Sequence, residues 1–389
     1  MLKNWQRSTL IFFSPIENTP PNIDCAEISL FGPGIGECIV LHIGEGRWFI
    51  IDSCLCPKNK QPIALNYLQS IGVDVSQQVV GILITHWHLD HIEGASTLLK
   101  TCANAKLYCS FALKTNEALH LTALYKKDIF ADTDKDIREF KEIIDFLIET
   151  KDRNRLAPVK NRHTFFDYRN TVQTRLVALS PSDVAVTQSI ANIAQLTLKE
   201  GKRRTRNVVS TSENLNAVAL HFSFGNFSAL LGSDLEETGN SQTGWSAIFE
   251  NNIINELSLP VASLFKVAHH GSETGYHNKT WQELLIESPL SMTTPYTRSS
   301  LPTADNINKL QTLSSHFLIT RDPQVNKRIK RENMVERELR SIAKDRKTIN
   351  DKIGHIQLRI TRDGNLNISG NKNVVKFTKN ALSSDNIRL

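Results

Sequence analysis

The sequence has no CxxC pair, no long apolar run and no short-period repeat, and each lack closes off a class of protein. Its six cysteines, at 25, 38, 54, 56, 102 and 109, all fall in the first third of 389 residues. That is too sparse for a disulfide scaffold, so free thiols in a reducing compartment are expected. Cys54 and Cys56 form a lone CxC, which by itself is a weak metal signal. No stretch reaches the roughly 18 apolar residues that cross a bilayer. The N-terminal "LIFF" is too short for the core of a signal peptide, so a cytoplasmic protein with no membrane partner is expected. Strong charge bias is lacking too. Lys plus Arg number 46 against 40 Asp plus Glu, a net +6, which permits an anionic substrate without requiring one. The absence of a short repeat excludes a solenoid.

What the chain does hold is histidine in one place. Only 12 histidines occur in all, yet "ITHWHLDHIEG", residues 84–94, carries His86, His88 and His91 with Asp90 between them. The segment before it, "QVVGILITH", is a continuous apolar run, as expected of a strand buried on both faces. The cluster therefore begins where a strand ends, the place where open α/β sheets bind ligands. Two more strands end the same way. "AVALHFSFGNFSALLGSD" reads as a hairpin turning at Gly225-Asn226 and ending in Asp234, and "SLFKVAHHGS" ends in His269 and His270.

Around these, "CIVLHIG" and "RWFIID" read as a hairpin, "PIALNYLQSIG" as a helix with a glycine stop, and "HFLIT" as a short strand. "RLVALSPSD" reads as a strand, and "HIQLRITRDGNLNIS" as a closing hairpin with Asp-Gly at its turn. "RENMVERELRSIAKDRK" reads as a charged surface helix. "NEALHLTALYKKDIF" and "DIREFKEIIDFLIET" have apolar residues at helical intervals and mark residues 110–170 as a helical insertion. Hairpins and helices occurring twice over predict an α/β fold, a four-layer αββα sandwich. It would form one domain over 1–378, with a basic loop at 199–212 and a tail at 379–389.

The imidazoles and carboxylates at these strand ends suit Zn, Mn or Fe. Alternation puts His86 and His88 on one side, able to grip one ion, while Asp90 and His91 can grip a second. A carboxylate such as Asp234 can bridge both, and a paired site of this kind activates water for hydrolysis. His277, on a loop after "HHG", is a further candidate to reach the cleft.

The H-x-H-x-D-H of "HWHLDH" resembles the signature of the metallo-β-lactamase fold hydrolases. "NLNAVALHFSFGNFSALLGSDLE" and "LFKVAHHGSETG" resemble one branch of that family. This branch holds the hydrolase domain of the competence DNA-uptake channel protein, and phosphorylcholine esterases lie near it. The resemblance implies that His86, His88 and Asp234 hold one ion, and Asp90, His91, Asp234 and His270 the other. Asp90 would also be catalytic. His269 would face the substrate phosphate or move a proton. Asp52, in "WFIIDSC", would organise the ligands from behind, and Glu236 would support them or steer a cationic leaving group. The sequence departs from the family twice. Leu301-Pro302 stands where the branch has His-Pro, and Glu213, Asn214 and Asn216 occupy the region of the family's third histidine.

The expected function is a hydrolase using a metal-bound hydroxide at a dinuclear site, acting on a phosphodiester, DNA or RNA. The basic runs "KDRNRLAPVKNRH" and "KEGKRRTR" would contact the phosphate backbone. One alternative is a hydrolase of a small phosphoester, thioester or lactone. The other is a non-catalytic metal-binding protein whose protein partner docks on insertion 110–170.

Overall fold

The structure, a computed structural model, describes residues 14–110, 135–198, 213–323, 334–335, 337–338 and 352–378. Among these residues sixteen strands form two eight-stranded sheets. The first contains β1 (Ala26–Gly32), β2 (Cys38–His42), β3 (Trp48–Ile51), β4 (Val79–Ile84), β5 (Lys106–Ser110), β6 (Leu156–Val159), β14 (Gly354–Ile360) and β15 (Leu366–Gly370). Its order is β15-β14-β1-β2-β3-β4-β5-β6. The second contains β7 (Thr164–Arg169), β8 (Gln173–Ala178), β9 (Leu220–Phe224), β10 (Phe227–Leu231), β11 (Ala262–Lys266), β12 (Leu285–Thr293), β13 (His316–Ile319) and β16 (Val375–Thr378). Its order is β16-β13-β12-β11-β10-β9-β8-β7.

Two-residue alternation builds the layers. In β2, Ile39 and Leu41 enter the core between the sheets, while Cys38 and Val40 join an outer core with the helices Ile63–Ser70, Ala95–Thr101 and Lys135–Glu149. In β10, Ala229 and Leu231 face the first sheet. Leu230 faces a third core shared with the helices Gly244–Glu250 and Ala304–Leu313. Three cores between four layers make the expected αββα sandwich. Each wholly buried Leu or Ile contributes about 1.5–3 kcal/mol. With both faces of a strand committed, a one-residue slip would misplace every side chain.

Each sheet has a parallel block. β3-β4-β5-β6 run parallel in the first, and β10-β11-β12-β13 in the second. The site described below is built at the carboxyl ends of these blocks. The hairpin at Gly225-Asn226 has Phe224 paired with Phe227, as expected, and β14-β15 closes around Asp363-Gly364.

The expected insertion is helical over Lys135–Glu149, where Phe140, Ile143, Ile144 and Leu147 are buried. That helix also caps its neighbour, since Ser96 N donates to Glu139 Oε1 at 2.8 Å. Residues 156–169 depart from the expectation of an all-helical insertion. β6 adds to the edge of the first sheet beside β5, and β7 pairs with β8. The cause is that "LAPV" and "TFFDYR" find strand edges to pair with, and pairing outweighs a short segment's own preference. The expected helices at 116–130 and 331–347 and the loop at 199–212 lie wholly or largely outside the described residues. The tail 379–389 lies outside them entirely. Among the described residues no helix is long and apolar enough to cross a membrane.

Candidate metal centre

Five strand ends converge. Asp52 follows β3, His86 to His91 follow β4, Asp234 follows β10, His269 and His270 follow β11, and Thr294 follows β12. The chain bends sharply to aim these side chains. Asp52, Ser233, His269 and His270 all have left-handed backbones, with φ between 47° and 59°. Non-glycine residues hold that conformation at a cost, and such residues gather at functional sites. Gly232 lets two of the loops meet, because a Cβ there would lie 2.9 Å from Ala268 Cβ.

Asp90, His91, Asp234 and His270, all buried but the half-buried Asp90, form one group whose ligand atoms could share a metal ion. His91 Nε2 lies 3.3 Å from Asp234 Oδ2 and 3.6 Å from Asp90 Oδ2. His270 Nε2 lies 3.4 Å from each of those oxygens. Ligands held tetrahedrally at zinc's usual bond lengths stand roughly 3.3–3.4 Å apart. The spacing is that of atoms around a cation. His91 Nε2, His270 Nε2 and Asp234 Oδ1 are buried without a hydrogen bond. Buried polar atoms are seldom left so; one cation would satisfy the two imidazole nitrogens and leave Asp234 Oδ1 for a second.

His86 Nε2 and His88 Nδ1 face each other at 3.2 Å, and the His86 and His91 rings lie 4.2 Å apart. These two histidines thus form a pair beside the quartet. They are not within its tight cluster.

Asp52 sits behind both sets. Its carboxylate accepts from Thr85 N at 2.8 Å, from Thr85 Oγ1 and from His91 Nδ1 at 2.7 Å. Having given its proton to Asp52, the Thr85 hydroxyl accepts from Ser233 Oγ at 2.8 Å and from His86 Nδ1 at 3.1 Å. Each imidazole is thereby held with its other nitrogen toward the site.

The electrostatics follow from burial and carboxylates. Burial drives the His86 pKa well below the usual value, helped by His91 and His88, so His86 stays neutral as a ligand must. Burial also opposes charge on His91, but Asp234, Asp52 and Asp90 overcome it and raise its pKa well above normal. His270 follows the same pattern. Burial opposes its charge, Asp234 and Asp90 favour it, and its pKa rises to about 9. Against burial, the same histidines hold Asp90 and Asp234 below the ordinary carboxylate range. The cage prefers positive charge at its centre.

His269 is set apart. Its Nδ1 is hydrogen-bonded to Thr274 Oγ1 at 2.9 Å and to Ser272 Oγ at 3.0 Å, and lies 2.8 Å from Glu236 Oε1, which itself accepts from Thr274 Oγ1 at 2.9 Å. Its Nε2 lies 3.4 Å from Asn214 Nδ2. Tyr296 stacks on His270 with ring centroids 5.3 Å apart. His277 faces Thr280, Ser246 and Glu237 instead of the ligand group. In the first basic run, Arg155 donates to the carbonyls of Leu99, Cys102 and Ala105, Lys160 pairs with Asp183, and Arg162 pairs with Glu256. Sequence reasoning passed over Thr85 and Thr294. Thr85, directly after the last apolar residue of β4, carried a signal; Thr294, which follows Thr293 at the end of β12, carried none.

Residues 31–152 match the model of the metallo-beta-lactamase superfamily. That match covers less than a third of the chain, the segment that holds β2 to β5 and the loop from His86 to His91. A UPF0173 metal-dependent hydrolase from Metallosphaera sedula is 34% identical over 80 residues, which are 21% of this chain and 32% of that protein. The match thus spans about a third of that relative's length. Among solved structures, the hydrolase AbOPH in the beta lactamase superfamily is similar at 13% identity and a TM-score of 0.32, over 61% of this chain and 84% of that one. The metallo-beta-lactamase SMB-1 is similar at 12% identity and a TM-score of 0.32, over 65% and 81%.

Proposed function

We propose that the protein is a metal-dependent hydrolase of phosphodiesters, DNA or RNA among them, working with two divalent cations, zinc before manganese. The observation that carries this reading is the buried quartet, with ligand atoms 3.3–3.6 Å apart and Asp234 Oδ1 left over for a second ion. His86, His88 and Asp234 would hold one ion, and Asp90, His91, Asp234 and His270 the other. When bound, such a pair supplies Lewis-acid activation of water and offsets charge developing on the phosphoryl oxygens.

The protein's own groups do the positioning. Asp52 and Thr85 keep His91 and His86 in the tautomers that point Nε2 inward. His269, braced by Glu236, presents Nε2 at the rim to hold a phosphate oxygen or hand a proton to the leaving oxygen. Tyr296 walls the His270 side and keeps bulk water from that ring. The phosphodiester preference rests on the resemblance to the competence-channel and phosphorylcholine branch and on the net charge of +6. Since Arg155, Lys160 and Arg162 are engaged within the fold, the basic run at 199–212 is the better candidate for a backbone contact. A cytoplasmic location and a protein partner on insertion 110–170 belong to the same proposal.

The test is metal-stripped protein reloaded with Zn or Mn and offered a chromogenic phosphodiester, single-stranded DNA and RNA. Metal-dependent cleavage that disappears in Asp90→Ala is expected. Turnover of lactones or thioesters alone would overturn the substrate class. Metal uptake with no turnover of any ester would overturn the enzyme.

A further inference from the structure

We infer that Lys266, Glu37 and Thr294 form a buried positioning unit that aims His270 and ties together the loops carrying Asp90, Asp234 and His270. The inference rests on the metal reading above but on no particular substrate. Lys266 ends β11 and is wholly buried, with Nζ 2.5 Å from Glu37 Oε1. Removing two charges from water costs several kcal/mol per ion, and packed apolar residues often stabilise a fold as well. Stability alone is therefore a poor reason for this pair.

Its contacts give a better one. Glu37 Oε2 accepts from Thr294 Oγ1 at 2.7 Å. With its proton so committed, the Thr294 hydroxyl must accept from His270 Nδ1, 3.0 Å away, and the Thr294 carbonyl lies 3.3 Å from the same nitrogen. Nδ1 faces two acceptors, so it carries the ring proton, and the Nε2 lone pair is left for a cation. Glu37 N donates to Asp90 O at 3.0 Å. Lys266 Nζ donates to the carbonyl of Ser233, the residue before Asp234, at 3.0 Å. That carbonyl also accepts from His269 N at 3.0 Å. Gly36 lets Glu37 come so close, since a Cβ there would stand 2.7 Å from Cys54 Cβ. One ion pair thus touches every loop that supplies the quartet. His86 hangs instead on Thr85, and through it on Asp52.

The experiment is zinc binding to the stripped full-length protein, measured by chelator competition, for wild type, Thr294→Val and Thr294→Ser. Thr294→Val should weaken one of two zinc ions by about 10–100-fold and leave the other unchanged, and Thr294→Ser should restore wild-type affinity. Cobalt-substituted Thr294→Val should show an altered visible spectrum, because one imidazole is no longer held. Equal zinc affinities in Thr294→Val and wild type would overturn the inference. A wild type that takes up no zinc would instead sink the metal reading. Should Thr294→Val fail to fold, 15N-histidine NMR of zinc-loaded wild type decides. A His270 Nδ1–H protected from exchange is expected, and a His270 ring protonated on Nε2 overturns it.

Discussion

In the proposed centre the two ion sites share Asp234 but are built differently. The quartet of Asp90, His91, Asp234 and His270 draws on both sheets, is almost closed to water, and has its imidazoles braced by Asp52 and Thr294. The His86 and His88 pair comes from one loop. Ligands already gathered from both sheets are pre-organised, whereas the His86 and His88 pair, outside that cluster, depends on the ion to join it to Asp234. The quartet should therefore bind first and tightest.

The largest effect should come from the shared residue. Asp234→Asn is expected to abolish binding of both ions and drop hydrolysis to background, read by metal analysis and turnover together. Retention of one tight ion would show that Asp234 belongs to a single site. The next pair of variants separates the sites. His270→Ala should remove the tight ion and His88→Ala the weak one, each taking stoichiometry from two to one in calorimetry. If His88→Ala costs the tighter ion, the ranking is reversed. Asp52→Asn comes third, with metal affinity lower by about 10–100-fold through a loosened His91.

The contrast extends to histidines elsewhere. His42, His221 and His355 lie buried in the sheets, where burial pushes their pKa values down to about 4, 4 and 3. Unfolding lets them take up protons below about pH 6.5. Their contribution is therefore lost as pH falls from there toward 4. His270 has the opposite sign. Its pKa of about 9 gives the metal-free fold stability that is complete below about 6.5 and lost as pH rises through 9. Metal-free protein should be most stable near pH 6.5, and His270→Ala should reduce the alkaline arm of a denaturation profile, leaving the share that His91 contributes. An alkaline arm unchanged in that variant would deny the cage its role.

Much of this was legible in the sequence, and the reason is contiguity. His86, His88, Asp90 and His91 advertise themselves because they sit within six residues at the end of an apolar strand. Asp234 and the His269-His270 pair could be found by the same strand-end logic, while the choice of His270 came from the resemblance. Lys266, Glu37 and Thr294 could not, since they lie in three segments that only the folded sheets bring together. A hint did exist, for a lysine within the apolar "SLFKV" needs a buried partner, but the partner's identity is tertiary information. The helix Asp183–Leu198 also escaped notice, its Val- and Thr-rich start reading poorly as helix. The strands at 156–169 were absorbed into the insertion because an edge strand is defined by its neighbour.

The most direct measurement is an anomalous difference map, at the zinc edge, of crystals grown with excess zinc. Two peaks are expected, each within bonding distance of an Asp234 oxygen, one also touching His91 and His270 and the other His86 and His88. A single peak away from Asp234, or a zinc-soaked quartet with no peak at all, would contradict the dinuclear centre.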